Sequence, residues 1–164
     1  MEPQGREPTD TIVAWSFVAM QVLILVAIVL TPRGDDWLGP EWLDVAAIGC
    51  LALGVASGLW ATVCLGRGLT PSPVPNGAVG LVTRGPYRWV RHPMYTAVIL
   101  IVVGIAARSG SIVVLAETAA LVVLFNLKAR WEEHRLTEIF PGYPRYREVT
   151  GRFLPVRRHG ASGR

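Results

Sequence analysis

The chain contains a run of 20 residues, from 11 to 30, without a charged side chain. An α-helix needs about 20 apolar residues to cross a hydrocarbon core about 30 Å thick. Further apolar blocks cover 42–64, 93–107 and 112–131, and only 17% of the 164 residues are charged. The pattern predicts one all-α integral membrane domain over 1–164, with four transmembrane helices.

The third apolar block is short and begins at a proline. Residues 93–107 would form about 22 Å of helix, less than the thickness of the bilayer core. A short span that a proline interrupts is a pointer to a binding site. Pro93 suits the first turn of a helix, where free N–H groups and the neighbouring Arg91 would attract a carboxylate. The alternative is that Arg84, Arg88 and Arg91 only reach lipid phosphates.

The arginines and lysines are distributed unequally between the predicted loops. With four spans, 14 of them lie on the side that holds both termini, and only Arg33 and Arg108 lie on the other side. Short basic loops stay cytoplasmic, so 65–92 and 132–164 are predicted to be cytoplasmic segments, together with both termini. Aromatic residues interrupt the basic tail beside the membrane, so membrane lipids are the predicted partner and nucleic acid is not.

The helical pattern of the fourth span continues past the apolar block. From Ile112 to Ile139 it would extend about 42 Å, so Glu132 and Glu133 would reach the level of Arg91-His92. Adjacent residues on a helix point about 100° apart. One glutamate is therefore predicted to face inward, while the other pairs along the helix with Lys128, Arg130 or Arg135. A solvated, salt-bridged helix is the alternative.

Other features give weaker expectations. The segment after Pro141-Gly142 is predicted to be an irregular flap, and Glu117 in the fourth span is expected to pair with Arg108. Gly54 and Gly58 form a G-x-x-x-G spacing that permits a dimer without requiring one. The histidines at 92, 134 and 159 have no metal-ligand spacing, so no metal site is predicted.

Two segments carry a more specific pattern. The run LVTRGPYRWVRHPMY at 81–95 is followed by an apolar hairpin and by EEHRLTEIFPGYPRYREVTGRFLP at 132–155. Residues 80–155 closely resemble the isoprenylcysteine carboxyl methyltransferase family, including its short prokaryotic members and the related phospholipid methyltransferases. The resemblance implies an S-adenosylmethionine-dependent methyltransferase without a Rossmann fold, in the inner membrane of a prokaryote. The chain agrees in lacking a G-x-G-x-x-G turn.

The resemblance also implies roles for individual residues. By motif position, the residues implied in cofactor binding are Leu81, Val82, Gly85, Tyr87, His92, Pro93, Tyr95 and Glu132. The residues implied to orient the substrate at the reacting end are Arg91, Glu133 and Arg152. The cofactor would leave as S-adenosylhomocysteine.

The resemblance leaves the acceptor open. An isoprenylcysteine-type carboxylate is the predicted acceptor, and it needs no base because it is already ionised. Phospholipid N-methylation or thiol S-methylation is the alternative, with His92 or a glutamate as base. Val149 stands where the family commonly has an arginine, which bears on the acceptor pocket. A non-catalytic membrane adaptor or small transporter is the alternative of another class.

Overall fold

A computed structural model describes residues 8–37, 39–66 and 80–156. Over these residues the protein has five α-helices and no β-strand, which confirms the predicted all-α fold. The elements in chain order are α1 (Pro8–Leu30), α2 (Glu41–Leu65), a 3-10 turn (Gly85–Arg88), α3 (Pro93–Ser109), α4 (Ile112–Ile139) and α5 (Tyr143–Val149). The predicted cytoplasmic segments extend into 67–79 and 157–164, which lie outside the described residues.

Three of the helices, α1, α2 and α4, are long and apolar enough to cross a membrane. The remaining predicted span, the third in chain order, lies in α3, which has 17 residues and measures about 25 Å, so its crossing stays a prediction. Many large apolar side chains of α1 and α2 point outward, including Leu23, 63% exposed, and Val63, 77% exposed. An apolar surface of this extent is typical of a membrane-contacting helix.

Glycines allow α2 and α3 to approach closely. A Cβ atom at Gly54 would lie 2.8 Å from the carbonyl oxygen of Ala97, and one at Gly104 would lie 2.8 Å from that of Ala47. Either substitution would push the two backbones apart. The G-x-x-x-G spacing is therefore used inside the chain, where Gly58 also faces Ala97.

The helix α4 packs against α1, α3 and α5, and it supplies the most deeply buried side chains. Leu121 and Phe125 are completely buried, and they form the apolar core with Ile28 of α1 and Val102 of α3. Because α4 contacts these three helices, its C-terminal extension is held in a defined position.

At one end of the bundle, the connection between α1 and α2 is tied to the turn between α3 and α4. Gly34 N–H donates to the Ser109 carbonyl at 2.9 Å, and Asp36 N–H donates to the Gly110 carbonyl at 2.9 Å. The Asp36 carboxylate accepts from the first N–H of α4, at Ile112, at 2.7 Å. Residues 31–37 and 107–112 are called the loop end below.

At the other end of the bundle, the first turn of α1 meets the last turns of α4 through an ion pair between Asp10 and Arg135. The beginning of α1 and the end of α4 therefore lie together. This second end also holds residues 81–95 and 143–153 and is called the site end below.

Two local predictions are wrong. The predicted flap after Pro141-Gly142 contains α5, because Tyr143 and Tyr146, three residues apart, bury one helical face. Glu117 does not pair with Arg108. Its position on α4 faces α1, where it accepts a hydrogen bond from Thr31 Oγ1 at 2.9 Å. Arg108 instead pairs with Asp44 of α2 at 3.3 Å.

Candidate active site

Two separate chain segments lie side by side at the site end. Val90 and Gly151 form an isolated parallel bridge. Arg91 N–H donates to the Gly151 carbonyl at 2.8 Å, and His92 N–H donates to the Arg152 carbonyl at 3.1 Å. The backbone therefore places Arg91 and His92 next to Arg152, across 59 residues or more of sequence.

Glycine is needed at position 151 for this arrangement. A Cβ atom there would lie 1.7 Å from the Leu154 carbonyl oxygen. The chain turns back on itself directly after the bridge, and Thr96 Oγ1 of α3 donates to the Phe153 carbonyl at 2.9 Å. The segment after α5 is thereby fastened to the first turn of α3.

Glu133 is the centre of a buried ionic network. Its residue is 2% exposed. Arg91 Nε donates to Oε1 at 3.0 Å, and Arg152 binds both carboxylate oxygens, with Nε at 3.0 Å and Nη2 at 2.9 Å. Arg152 Nη1 also donates to Asn126 Oδ1 at 3.0 Å, and Asn126 lies on the same face of α4 as Glu133. Two guanidinium groups thus bind one carboxylate. The hydrogen bonds with Glu133 raise the pKa of Arg152 above its usual range.

Glu132 lies on the adjacent face of α4 and contacts the first turn of α3. Tyr95 donates its hydroxyl to Oε1 at 2.6 Å, and His92 Nδ1 lies 3.6 Å from Oε2. The prediction that only one glutamate faces inward is therefore wrong. Both carboxylates point into the site, because the elements packed on α4 bring His92 between them, with Nε2 3.3 Å from Glu133 Oε1.

An aromatic stack positions the imidazole of His92. Its ring lies parallel to that of Tyr95, with centroids 5.2 Å apart and 3° between the planes. Tyr95 stacks in turn on the buried Phe125, at 4.7 Å. Among the described residues, His92 Nε2 is buried and has no hydrogen-bond partner of acceptable geometry. The imidazole is rigidly held, with a carboxylate oxygen near each of its two ring nitrogens.

Three tyrosines surround this cluster with neutral hydroxyl groups. Burial, with smaller contributions from Tyr146 and Cys64, raises the pKa of Tyr87 to about 12. Burial raises the pKa of Tyr146 to about 12, although Arg91 opposes the shift. It also raises the pKa of Tyr143, with Glu133 adding to the effect. These hydroxyls stay protonated at neutral pH, so they can donate hydrogen bonds but cannot serve as bases.

An open groove lies beside the network. It has a volume of about 470 Å³ and runs between the segment before the 3-10 turn and α5; its lining residues are Leu81, Thr83, Gly142, Arg145, Tyr146, Glu148 and Val149. Tyr146 connects the groove to the 3-10 turn, since its hydroxyl donates to the Tyr87 carbonyl. The groove is large enough for a part of a nucleoside-sized ligand.

The predicted site residues fall into two groups. Arg91, His92, Tyr95, Glu132, Glu133 and Arg152 form one contact network. Pro93 begins α3 beneath it. Leu81 lines the groove, whereas Val82, Gly85 and Tyr87 lie on the chain between groove and network. Gly85 has a φ of 59°, and a Cβ there would lie 2.4 Å from Cys64 Sγ, so its backbone packs closely on α2.

A sequence model of the phospholipid methyltransferase family matches residues 42–142. The chain belongs to this family. The match includes α2, α3, α4 and the network residues from Arg91 to Glu133, and it confirms the resemblance that the motifs indicated. Arg152, which closes the network, lies beyond the matched residues. The methyltransferase family also supports the prediction of an enzyme.

Similar proteins occur in bacteria. The chain is 30% identical over 143 residues to a nickel-cobalt-cadmium resistance protein of Alcaligenes xylosoxydans xylosoxydans, a match that covers 86% of this chain and 62% of the relative. It is 28% identical over 142 residues to a cobalt-zinc-cadmium resistance protein of Cupriavidus metallidurans, with the same two shares. It is 32% identical over 78 residues to an uncharacterised protein of Bacillus subtilis, over 48% of this chain and 43% of the relative. The chain therefore matches less than two thirds of the length of these relatives.

The structure adds site residues that the motifs did not indicate. Asn126 binds Arg152 and lies seven residues before Glu133, two turns along the same face of α4. Tyr146 lines the groove and binds the carbonyl group of Tyr87. Helical spacing from Glu133 would have found Asn126, whereas Tyr146 depends on α5, which the sequence prediction treated as irregular. In the described part of the chain, no three His, Cys, Asp or Glu side chains are grouped to hold a metal ion.

Proposed function

We propose that this protein transfers a methyl group from S-adenosylmethionine to a lipophilic acceptor at the membrane. The observation that carries the proposal is the convergence of Arg91, His92 and Tyr95 with both glutamates of α4. This convergence lies within the part of the chain that matches a methyltransferase family. The family match favours this function over that of a membrane adaptor or small transporter.

The residues of the site suit the charges of the cofactor. S-adenosylmethionine carries an ammonium, a carboxylate and an electrophilic methyl on a sulfonium. Glu132 has acceptor capacity left beside its bond from Tyr95, so it can bind an ammonium group. The first turn of α3 and the backbone at Leu81, Val82 and Gly85 would hold the remainder, with Tyr87, His92 and Tyr95 as side-chain contacts.

The second half of the network suits the acceptor. Arg91 and Arg152 are fixed by Glu133, so they can orient an anionic or polar acceptor without first being ordered. A carboxylate acceptor needs no base. For an amine, the imidazole of His92 is the group that can take a proton, and Glu133, 3.3 Å from Nε2, would stabilise the imidazolium.

We place the site on the cytoplasmic face of the inner membrane of a prokaryote, with α3 crossing the membrane as well as α1, α2 and α4. The count of basic residues on the two sides supports this orientation. The meeting of Asp10 with Arg135 supports an even number of crossings, because it brings the start of α1 and the end of α4 to one end.

An isoprenylcysteine-type carboxylate is our first candidate acceptor, since the two arginines are suited to a carboxylate. A phospholipid amine is the second, and the description of the matching family favours it. The names of the two metal-resistance relatives describe longer proteins, and we propose no metal substrate from them.

Isothermal titration calorimetry of the protein in lipid nanodiscs, with S-adenosylmethionine and S-adenosylhomocysteine as ligands, tests whether the protein binds the proposed cofactor. His92→Ala and Glu132→Gln are expected to weaken binding, whereas Glu138→Gln, which changes a half-exposed acid on the same helix, is expected to leave it unchanged. Transfer of labelled methyl to S-farnesylcysteine or to phosphatidylethanolamine then distinguishes the acceptors. A folded parent protein that binds neither cofactor form would refute the proposal.

A further inference from the structure

Lys128 is a buried cation that the proposed chemistry does not use. It lies on α4 with 7% of its surface exposed. Its ammonium donates to Gln21 Oε1 of α1 at 3.1 Å and lies 5.2 Å from the ring centre of Tyr95. An ammonium group has three N–H donors, and a neutral amide here accepts from only one of them.

The charge of Lys128 has no paired anion. Among the described residues, no carboxylate oxygen forms an ion pair with it within 4 Å. Glu132, one turn further along α4, is instead bound by Tyr95 at 2.6 Å. Buried charges are normally paired. Arg91 and Arg152 meet this rule through Glu133, whereas Lys128 does not.

The same imbalance holds for the cluster as a whole. Three basic side chains, Arg91, Arg152 and Lys128, lie in or next to a network that holds two carboxylates, Glu132 and Glu133. The cluster therefore has one cation in excess. A ligand that supplied an anion beside Lys128 would balance it.

Lys128 also lies nearer than Glu133 to the middle of the apolar helix α4. It precedes Glu133 by five residues, about 7.5 Å along the helix toward the membrane interior. Gln21 is only half-buried on α1, so its amide oxygen is a neutral partner that an anionic oxygen could displace.

We propose that Lys128 determines acceptor specificity by binding an anionic group, a phosphate or a carboxylate, on the lipophilic acceptor. The term acceptor rests on the proposed function, but the anion recognition is a binding property with its own measurement. A purely structural alternative is that Lys128 only supports the ring of Tyr95 by a cation–π contact.

Native mass spectrometry of the full chain, released from neutral detergent micelles, measures the preference for an anionic lipid over an uncharged one. The probes are dioleoyl phosphatidic acid, oleic acid and the uncharged dioleoylglycerol. We expect the parent protein to bind phosphatidic acid at least about ten-fold more tightly than dioleoylglycerol. Binding of oleic acid would show that a carboxylate also serves, and its absence would restrict the site to phosphate.

Matched variants test whether the preference for the anionic lipid depends on Lys128 or on basic residues in general. Lys128→Met should abolish the preference, Lys128→Arg should retain most of it, and Arg130→Met, which removes an exposed cation two residues away, should retain all of it. Should the Met variant not fold, Lys128→Gln takes its place. A parent without the preference, or an uncharged variant that keeps it, overturns the proposal.

S-adenosylhomocysteine affinity, measured on the same samples, keeps the two proposals apart. Lys128→Met should leave it unchanged, because Lys128 acts on the acceptor. An equal loss of cofactor and lipid binding in this variant would indicate the structural role through Tyr95 and overturn the inference. Absence of cofactor binding by the parent would refute the methyltransferase proposal without altering the lipid result.

Discussion

The loop end and the site end of the helix bundle pair their polar groups in different ways. Both ends hold polar groups that lie close to a membrane. At the loop end, backbone groups bind one another, the Asp36 carboxylate caps α4, and the ion pair of Asp44 and Arg108 is 59% and 44% exposed. At the site end, charged side chains are buried against each other, with Arg91 and Glu133 only 9% and 3% exposed.

The difference distinguishes polar contacts that only end a helix bundle from those of a functional site. Backbone hydrogen bonds and an exposed ion pair are sufficient to end a bundle. Burial of two arginines with a glutamate costs desolvation free energy that a simple closure does not require. A buried ionic network of this kind, with the imidazole of His92 between two carboxylates, is typical of a functional site.

The largest expected effect tests the burial of Glu133. Glu133→Ala leaves Arg91 and Arg152 without their carboxylate, so it should lower the free energy of unfolding by about 3–5 kcal/mol and abolish methyl transfer. Asp44→Ala removes the exposed ion pair of the loop end and should cost about 0–1 kcal/mol. Chemical denaturation in detergent micelles measures both, and equal costs would break the comparison.

The next effect concerns one hydroxyl group at the site end. Tyr95→Phe keeps the stack on His92 but removes the donor to Glu132. A hydrogen bond to a charged group is worth about 1.5–3 kcal/mol, so the affinity for S-adenosylmethionine should fall about ten-fold or more. Tyr143→Phe is the matched control, because its hydroxyl has no partner in the described part of the chain. Cofactor titration should show little change for that variant.

The next prediction compares how much space the backbone leaves for a side chain at two glycines, Gly110 and Gly142. Gly110 at the loop end has a φ of 60°, and a Cβ there would lie 2.4 Å from the Gly34 carbonyl oxygen. Gly110→Ala should therefore destabilise the protein by about 1–3 kcal/mol. No atom lies within 4 Å of a Cβ built at Gly142, so Gly142→Ala should change the melting temperature little. A large loss for Gly142→Ala would contradict this account.

The smallest expected effect is the loss of a helix cap. Asp36→Ala removes the acceptor for the Ile112 N–H and should cost about 1 kcal/mol. Asp35→Ala changes the exposed neighbour and should cost nothing measurable. Thermal unfolding tests stability, and cofactor titration should be the same for both variants. A fall in cofactor affinity with Asp36→Ala would show that the loop end is coupled to the site.

Local pattern explains which predictions succeeded. The apolar runs placed the membrane helices within a few residues, since hydrophobic length and the proline at position 93 act on neighbouring residues. The motifs identified Arg91, His92, Tyr95 and both glutamates as one group, and the structure brings them together. The predicted partners of Glu117 and of the glutamate pair were wrong, because helical spacing does not include neighbouring helices.

The sequence by itself determined that the chain is helical and apolar, and that basic residues concentrate on one predicted side, because these properties add up residue by residue. Only the tertiary structure decided which charges meet. The parallel bridge of Val90 with Gly151 brings Arg152 to Glu133, and the packing of α1 on α4 leaves Lys128 facing Gln21 rather than a carboxylate. Both outcomes depend on contacts between residues far apart in the chain, where burial makes each pairing specific.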